Sequence, residues 1–407
     1  DNAALGGTPT MTLGGSPLMF SNQSGDVFTW GWNVPLGSPD GAVSVTVTAE
    51  DAASNETTLV ADDVIIVDNT KPYITGLTVS QMYAKEGDTV TIQVEVQDFY
   101  GVAEFPTVTL AGIDCGIPSV SGFTYTWLVG ITSAFPEGPA DVLVTALDLA
   151  GNQSQGSGPA LLTIDRTPPT ISAFASTHQY ATLNNTVTLQ AAVLDNFGLN
   201  GTPTLYLNGT MMNVPTISGN TYYWQFQITP ALTQGAAVIA VEAIDRAGNE
   251  ASGSPASTIL VVDYTQPSIS ALTVTPSRAK GGTPLTLTAQ VVENYGLNGT
   301  PTMNINGLPV PPPSHSGSTY TWNYIVPTTP PPAEGPAEIE ILAVDLAGNF
   351  NNLLNTSQLT YDPNAPIFSN AEAVPNLARL GQTATITVNV YDSSPFSGTP
   401  SLTVNGV

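Results

Sequence analysis

A five-residue motif built on an acid and an asparagine returns through the chain on a nearly fixed period. It reads DAASN at Asp51–Asn55, DLAGN at Asp148–Asn152, DRAGN at Asp245–Asn249 and DLAGN again at Asp345–Asn349, so the starts lie 97, 97 and 100 residues apart. Three further markers keep the same register. A tryptophan recurs as Trp30, Trp127, Trp224 and Trp322, and Gly-Thr-Pro recurs from Gly7, Gly201, Gly299 and Gly398. A linker motif reads DNTKPYI from Asp68, DRTPPTI from Asp165, DYTQPSI from Asp263 and DPNAPI from Asp362. Four markers in one register define a tandem array, and whatever one period folds into, the others must fold into as well.

Within a period the pattern is all strand. Between residues 165 and 262 the runs TISAFAS, TVTLQAAVLD, TPTLYLN, MNVPTIS, TYYWQFQI, AAVIAVEAID and STILVVD are β-branched or aromatic, and clusters of Gly, Pro, Asn and Ser separate them. No useful window shows a 3.6-residue apolar period. Ahead of each motif acid, apolar residues alternate strictly: Val45, Val47 and Ala49; Val142, Val144 and Ala146; Ile239, Val241 and Ala243; Ile339, Ile341 and Ala343. A period of two places each set on one face of a strand, toward a core. Tyr125, Trp127 and Val129, like Tyr222, Trp224 and Phe226, share one face in the same way and read as core aromatics. Seven short strands in ~98 residues predict an all-β fold of tandem immunoglobulin-like seven-stranded sandwiches. The expected divisions are a partial domain at 1–67 lacking strands A and B, full domains at 68–164, 165–262 and 263–361, and a partial domain at 362–407 with A, B and the start of C.

Composition narrows the function. Only 10% of the 407 residues are charged, against roughly 25% in typical soluble domains. Seven Lys and Arg face 32 Asp and Glu, for a formal net charge of −25. Phosphate binding needs basic patches, so nucleic acid is excluded as a partner, and cations are the natural counterpart. The single cysteine, Cys115, forms no intrachain disulfide and reads as a loop residue. The apolar runs fall short of the ~20 residues that span a bilayer, so no membrane-spanning segment is expected.

Three acidic positions recur. One ends strand B (Asp1, Asp98, Asp195, Glu293, Asp392), one ends strand F as the motif acid (Asp51, Asp148, Asp245, Asp345), and one opens the linker (Asp68, Asp165, Asp263, Asp362). Strands B and F of this topology run toward the end of the sandwich where the chain enters, so the B–C and F–G loops sit side by side there. Asp68, Asp98, Asp148 and Asn152 are therefore expected to meet at one junction. Asp165, Asp195, Asp245 and Asn249 should meet at the next, and Asp263, Glu293, Asp345 and Asn349 at the third. Three carboxylates held together repel unless a cation lies among them, and Ca2+ takes six to eight oxygen ligands of this kind. The alternative stays open at this stage. An Asp followed by Gly and Asn also builds a turn, accepting backbone N–H bonds while Gly takes a positive φ. Arg166 and Lys71 beside two linker acids offer local neutralisation, and no D-x-D-x-D-G loop is present.

Catalysis finds no support. His178 and His315 fall at unrelated places in the period, and neither a nucleophile elbow, a zinc spacing nor a phosphate loop is present. An acid pair identical in every repeat reads as structural rather than as a glycosidase pair.

With its D-x-A-G-N strand end and D-x-T-x-P linker, the whole chain resembles bacterial immunoglobulin-like tandem repeats of large cell-surface proteins and adhesins. The resemblance implies an extracellular or cell-surface location and Ca2+ at domain junctions. Such repeats serve as spacers, adhesins and filament subunits alike. The expected role is a non-enzymatic structural one: a stiff stalk or filament whose linker prolines Pro72, Pro169, Pro267 and Pro366 leave little slack. Its partners are then like domains or subunits, in a homopolymer or a long tandem array. The alternative is an adhesin or carbohydrate-binding module recognising a host or surface glycan, with the Pro-rich stretches Gly307–Gly317 and Pro327–Pro336 as the candidate loops. Residues 392–407 align with residues 1–16, so the chain is expected to start and stop inside a domain. That fits a segment of a longer array. Head-to-tail assembly is the sharper alternative, against which the overlap counts, because strand C would be supplied twice.

Overall fold

The computed structural model describes residues 5–404, so Asp1 lies outside the described residues. Among the described residues there is no helix, and every regular element is a strand. The alternating apolar pattern of the sequence becomes alternating burial. In residues 73–164 the strands are β7 (Tyr73–Val79), β8 (Tyr83–Ala84), β9 (Thr89–Gln97), β10 (Thr107–Leu110), β11 (Ile113–Asp114), β12 (Ser119–Ser121), β13 (Thr124–Gly130), β14 (Gly138–Leu147) and β15 (Gln153–Ile164). The numbering follows β1 (Thr10–Leu13), β2 (Ser16–Pro17), β3 (Met19–Ser24), β4 (Val27–Gly31), β5 (Gly41–Glu50) and β6 (Glu56–Val67) of the first repeat.

One sheet runs β12-β13-β9-β7 and the other β11-β10-β14-β15-β8. These are the D-E-B-A and C′-C-F-G-A′ layers of an immunoglobulin-like sandwich. The seven expected strands are joined by two-residue A′ and C′ pieces too short for an apolar period to announce. Between the layers Val90, Ile92, Val94 and Val96 of β9 meet Val142, Val144 and Ala146 of β14, all at most 1% exposed. Trp127 closes the core opposite Ile92 across the β13–β9 pair. Its indole nitrogen donates to the Gly116 carbonyl at 3.0 Å, which satisfies the one polar atom that this large side chain buries.

The same register recurs along the chain. Trp224 stands opposite Leu189 and Trp322 opposite Leu287. In the fourth repeat Leu285, Leu287, Ala289 and Val291 pack against Ile339, Ile341 and Ala343 as their counterparts do in the second. Cys115 is half-buried against the second core, and burial pushes its thiol up to about 11, so it stays protonated and inert at neutral pH. Among the described residues no helix is long and apolar enough to cross a membrane.

The residues gather into two compact units. One takes in the chain as far as Ile171 together with Val193–Pro203 and Glu242–Ser252. The other comprises Ser172–Ala192, Thr204–Val241 and the chain from Gly253 onward. The first unit thus holds the B–C and F–G loops of the third repeat against the end of the second.

Because Trp127 fills the centre of its layer, Trp127→Ala should cost about 3–5 kcal/mol. Native-state hydrogen exchange should read this as early opening of residues 68–164, with the repeats of Trp224 and Trp322 unaffected.

Candidate metal centres

The junctions are built from turns that the motif itself forms. In the second repeat Asp148 Oδ1 accepts the Asn152 backbone N–H at 2.7 Å, and Asp148 Oδ2 accepts the Asn152 side-chain amide at 2.7 Å. The backbone closes around this pair through Asp148 N to Asn152 O (3.1 Å) and Gly151 N to Asp148 O (3.2 Å). The glycine takes φ +90°, a conformation costly for a residue with a Cβ. Asp245 with Asn249 and Asp345 with Asn349 repeat the arrangement at 2.7–2.8 Å. The worn copy keeps it too. Asp51 binds Asn55 in the same two-point fashion, and Ser54 enters the left-handed region at φ 63° where the other copies have glycine.

Two connections bring the other acids to this turn. A residue of the B–C loop bridges the motif acid by backbone pairing: Leu5 with Asp51, Val102 with Asp148, Leu199 with Asp245 and Leu297 with Asp345. The loop itself is wound by the strand-B acid, whose near oxygen accepts two successive amides. Asp98 Oδ1 takes Tyr100 N (2.9 Å) and Gly101 N (3.0 Å), and Asp195 Oδ1 takes Phe197 N (2.9 Å) and Gly198 N (2.7 Å). The linker is drawn in by the asparagine, whose amide also donates to the linker acid's carbonyl. Those bonds run from Asn152 to Asp68 O (2.9 Å), Asn249 to Asp165 O (3.0 Å) and Asn349 to Asp263 O (3.0 Å).

The three expected triads are therefore assembled. Asp68, Asp98 and Asp148 form one group, Asp165, Asp195 and Asp245 a second, and Asp263, Glu293 and Asp345 a third. In each, one oxygen per residue lies within 4.8 Å of the others. Asp148, Asp165, Asp245, Asp263 and Asp345 are at most 1% exposed. The linker acid spends Oδ1 on the amide two residues on (Thr70, Thr167, Thr265, at 3.0–3.2 Å). Its other oxygen is left over: Asp68 Oδ2, Asp165 Oδ2 and Asp263 Oδ2 are buried without a hydrogen-bond partner, as are Asp195 Oδ2 and Glu293 Oε2. Buried carboxylate oxygens are costly unless paired, and oxygens converging in a triad are the donor set a hard divalent cation takes. The asparagines sit beside the acids, their side-chain amides donating to the motif acid and to the linker carbonyl. Arg166 does not neutralise its neighbour: its guanidinium reaches Ser133 O at 3.5 Å.

One recurring position is not legible from charge alone. Asp40, Glu137, Gln234 and Glu334 each precede a glycine at φ +122° to +140° and lie beside the following linker. Asp40 Oδ1 accepts Asn69 N at 2.8 Å, Glu137 Oε1 accepts Arg166 N at 2.7 Å, and Gln234 Oε1 accepts Tyr264 N at 3.0 Å. The linker threonine hydroxyls of Thr70, Thr167 and Thr265 donate to the same three side chains. Glu334 receives the Asn364 amide. An acid-or-glutamine followed by glycine was the available signal.

No protein-family model matches the sequence, and no curated protein matches it either. Among solved structures the chain is similar to a Ca2+-stabilised adhesin with which an Antarctic bacterium binds ice, at 19% identity over 88% of this chain and 91% of that one, with a TM-score of 0.36. It is similar to a 1.5-MDa bacterial ice-binding adhesin at 18% identity over 73% of this chain and 100% of that one, with a TM-score of 0.37. A tetra-tandem repeat from the extending region of a large adhesion protein matches at 17% identity over 89% of this chain and 94% of that one, with a TM-score of 0.30.

Two outcomes follow from this geometry. Ser54→Gly removes a left-handed strain of about 1 kcal/mol and should raise the stability of the first repeat by that order, measurable by thermal melting. Burial, then the charges of neighbouring acids, holds the Asp68, Asp165 and Glu293 carboxyls above the ordinary carboxylate range. The folded chain then binds more protons than the unfolded one just above that range, so stability of the metal-free protein falls as pH rises through it. Melting in EGTA should therefore improve on acidification from neutrality to about pH 5, and Asp165→Asn should flatten the slope.

Proposed function

We propose that this chain is a non-enzymatic structural protein of the cell surface, a stiff stalk or filament of tandem immunoglobulin-like domains whose joints are set by Ca2+. The domains are taken as 1–67, 68–164, 165–262, 263–361 and 362–407. The observation that carries this reading is the threefold recurrence of a carboxylate triad with buried, unpartnered oxygens, each at a linker. The ligands would be Asp68, Asp98 and Asp148 at the first joint, Asp165, Asp195 and Asp245 at the second, and Asp263, Glu293 and Asp345 at the third. Asn152, Asn249 and Asn349 position them. Ca2+ would supply the positive charge that three converging carboxylates lack, with the remaining coordination filled by carbonyl oxygens or water.

The chain's own residues do the rest. One acid of each triad belongs to the linker and two belong to loops of the sandwich that follows. Occupying the triad therefore ties the linker to the domain it enters. On its other side the linker is fastened to the domain it leaves by Asp40, Glu137 or Gln234. A linker held at both ends has few conformations left, which is the physical meaning of a stiff joint. An extracellular setting supplies millimolar Ca2+, the regime of sites in extracellular modules. In the Pro-rich stretch of the fourth repeat, Leu308 and Pro309 pair with Ile305 and Asn304, and most of the stretch is exposed.

Calorimetry tests the reading. At a free Ca2+ concentration of about 100 Kd, each occupied site should add about 2.7 kcal/mol to folding. The melting temperature should fall in EGTA and recover with Ca2+, and Asp245→Asn should remove one binding equivalent from a titration. An unchanged melting temperature and no binding heat would rule out the metal.

A further inference from the structure

The joint between the second and third repeats is crossed by two cationic side chains. β8 pairs in parallel with the end of β15, Tyr83 opposite Thr163 and Ala84 opposite Ile164, and the Ala84 carbonyl accepts the amide of the linker acid Asp165 at 2.9 Å. Tyr83 and Lys85 therefore flank the linker. Both side chains meet the F–G turn of the third repeat, 163 residues further along the chain. The Lys85 ammonium donates to the Gly248 carbonyl, inside the Asp245–Asn249 turn. The Arg246 guanidinium donates to the Tyr83 hydroxyl at 2.9 Å, and its central carbon lies 5.6 Å from the centre of the Tyr83 ring. A cation at that distance over an aromatic face is attracted by the ring as well.

The third and fourth repeats meet through the same positions with different residues. Tyr180 and Thr182 stand where Tyr83 and Lys85 do, and Leu346 stands where Arg246 does. The contact there is neutral: the Thr182 hydroxyl donates to Asn349 Oδ1. Two of the chain's seven basic residues are thus placed at one joint. They do not fill its triad, since Asp165 Oδ2 and Asp195 Oδ2 stay without partners.

We propose that Tyr83, Lys85 and Arg246 form a latch that holds the second joint closed without a metal ion, whereas the third joint closes only when its triad is loaded. Empty triads set like charges side by side, and at both joints that repulsion opposes docking. At the second joint it is countered by two hydrogen bonds with ionised donors, roughly twice as strong as neutral ones. Both bypass the linker and tie the A′ strand of one sandwich directly to the F–G turn of the next. At the third joint the counterpart is one neutral bond. Falling Ca2+ then loosens the chain at Asp263 before Asp165, so stiffness differs from joint to joint. The contrast between the joints rests on the Ca2+ reading; the latch itself does not.

Pulsed electron paramagnetic resonance on the whole chain tests the latch, with spin-label pairs at exposed strand positions in a Cys115→Ser background. Labels on Leu128→Cys and Glu242→Cys read the second joint, and labels on Gln225→Cys and Asn323→Cys read the third. In EGTA the first pair should keep the narrow distance distribution it has in Ca2+, while the second pair broadens. Arg246→Leu with Lys85→Thr installs the residue types that Leu346 and Thr182 supply one joint on, so the sandwich should tolerate them. That variant should broaden the first pair in EGTA, and Ca2+ should narrow it again. Tyr83→Phe keeps the ring and loses the hydroxyl, and should broaden the first pair less. The reverse graft, Leu346→Arg with Thr182→Lys beside Tyr180, should narrow the second pair in EGTA. A first pair already broad in EGTA in the parent chain, or one that stays narrow in R246L/K85T, would overturn the latch. A second pair that Ca2+ leaves unchanged would sink the metal reading alone, the latch still being decided by R246L/K85T in EGTA.

Discussion

The architecture of each joint depends on one buried carboxylate, the acid that ends strand F. Asp148, Asp245 and Asp345 lie inside the protein and both of their oxygens are engaged by the asparagine four residues on. That two-point bond shapes the F–G turn, and the turn presents the same asparagine to the linker carbonyl. A buried charge can serve as such a fixed point only while its hydrogen bonds are complete. Removing the asparagine amide would release the turn and the linker together.

Around that fixed point the remaining acids are left deliberately incomplete by geometry. The strand-B acid winds the B–C loop with one oxygen, and the linker acid turns its own chain with one oxygen. Each carries a second oxygen into the shared gap. The hydrogen-bonded half of each carboxylate builds the backbone, and the free half makes the electrostatic problem. Neither half would produce a site alone, since a fully bonded cluster has nothing to offer a cation and an unbonded one would not be held in place. With few basic residues in the chain, and Arg166 turned to Ser133, a side-chain cation does not resolve the second triad.

Much of this was legible in the sequence because strand chemistry has a period of two and the topology has a direction. Alternation at Val142, Val144 and Ala146 identifies an inward face, and chain direction then places the acids after strands B and F at the same end. What stayed hidden was set by hydrogen bonding rather than by charge or pattern. Asp40, Glu137, Gln234 and Glu334 share an acceptor oxygen and not a charge, so a reading that tracks acids breaks at Gln234. The asparagines offer both an oxygen and a nitrogen, and only the folded turn decides that the nitrogen faces the acids. The A′ and C′ strands, two residues each, are too short to show any alternation.

Repetition gives these local rules their consequence. A triad within one domain would stabilise that domain; one divided between a linker and the loops beyond it couples neighbours. The division follows from the position of the linker acid, which ends one sandwich's last strand: Asp165 N donates to Ala84 O at 2.9 Å inside the second repeat, while its carboxyl joins Asp195 and Asp245 of the third. One residue is thus bonded to the repeat it leaves and grouped with the acids of the repeat it enters. Substituting Glu293 for Asp at the third junction lengthens only one arm of that geometry. Its near oxygen still accepts the Asn294 amide at 2.6 Å, so the third triad keeps the same division of labour with a longer reach.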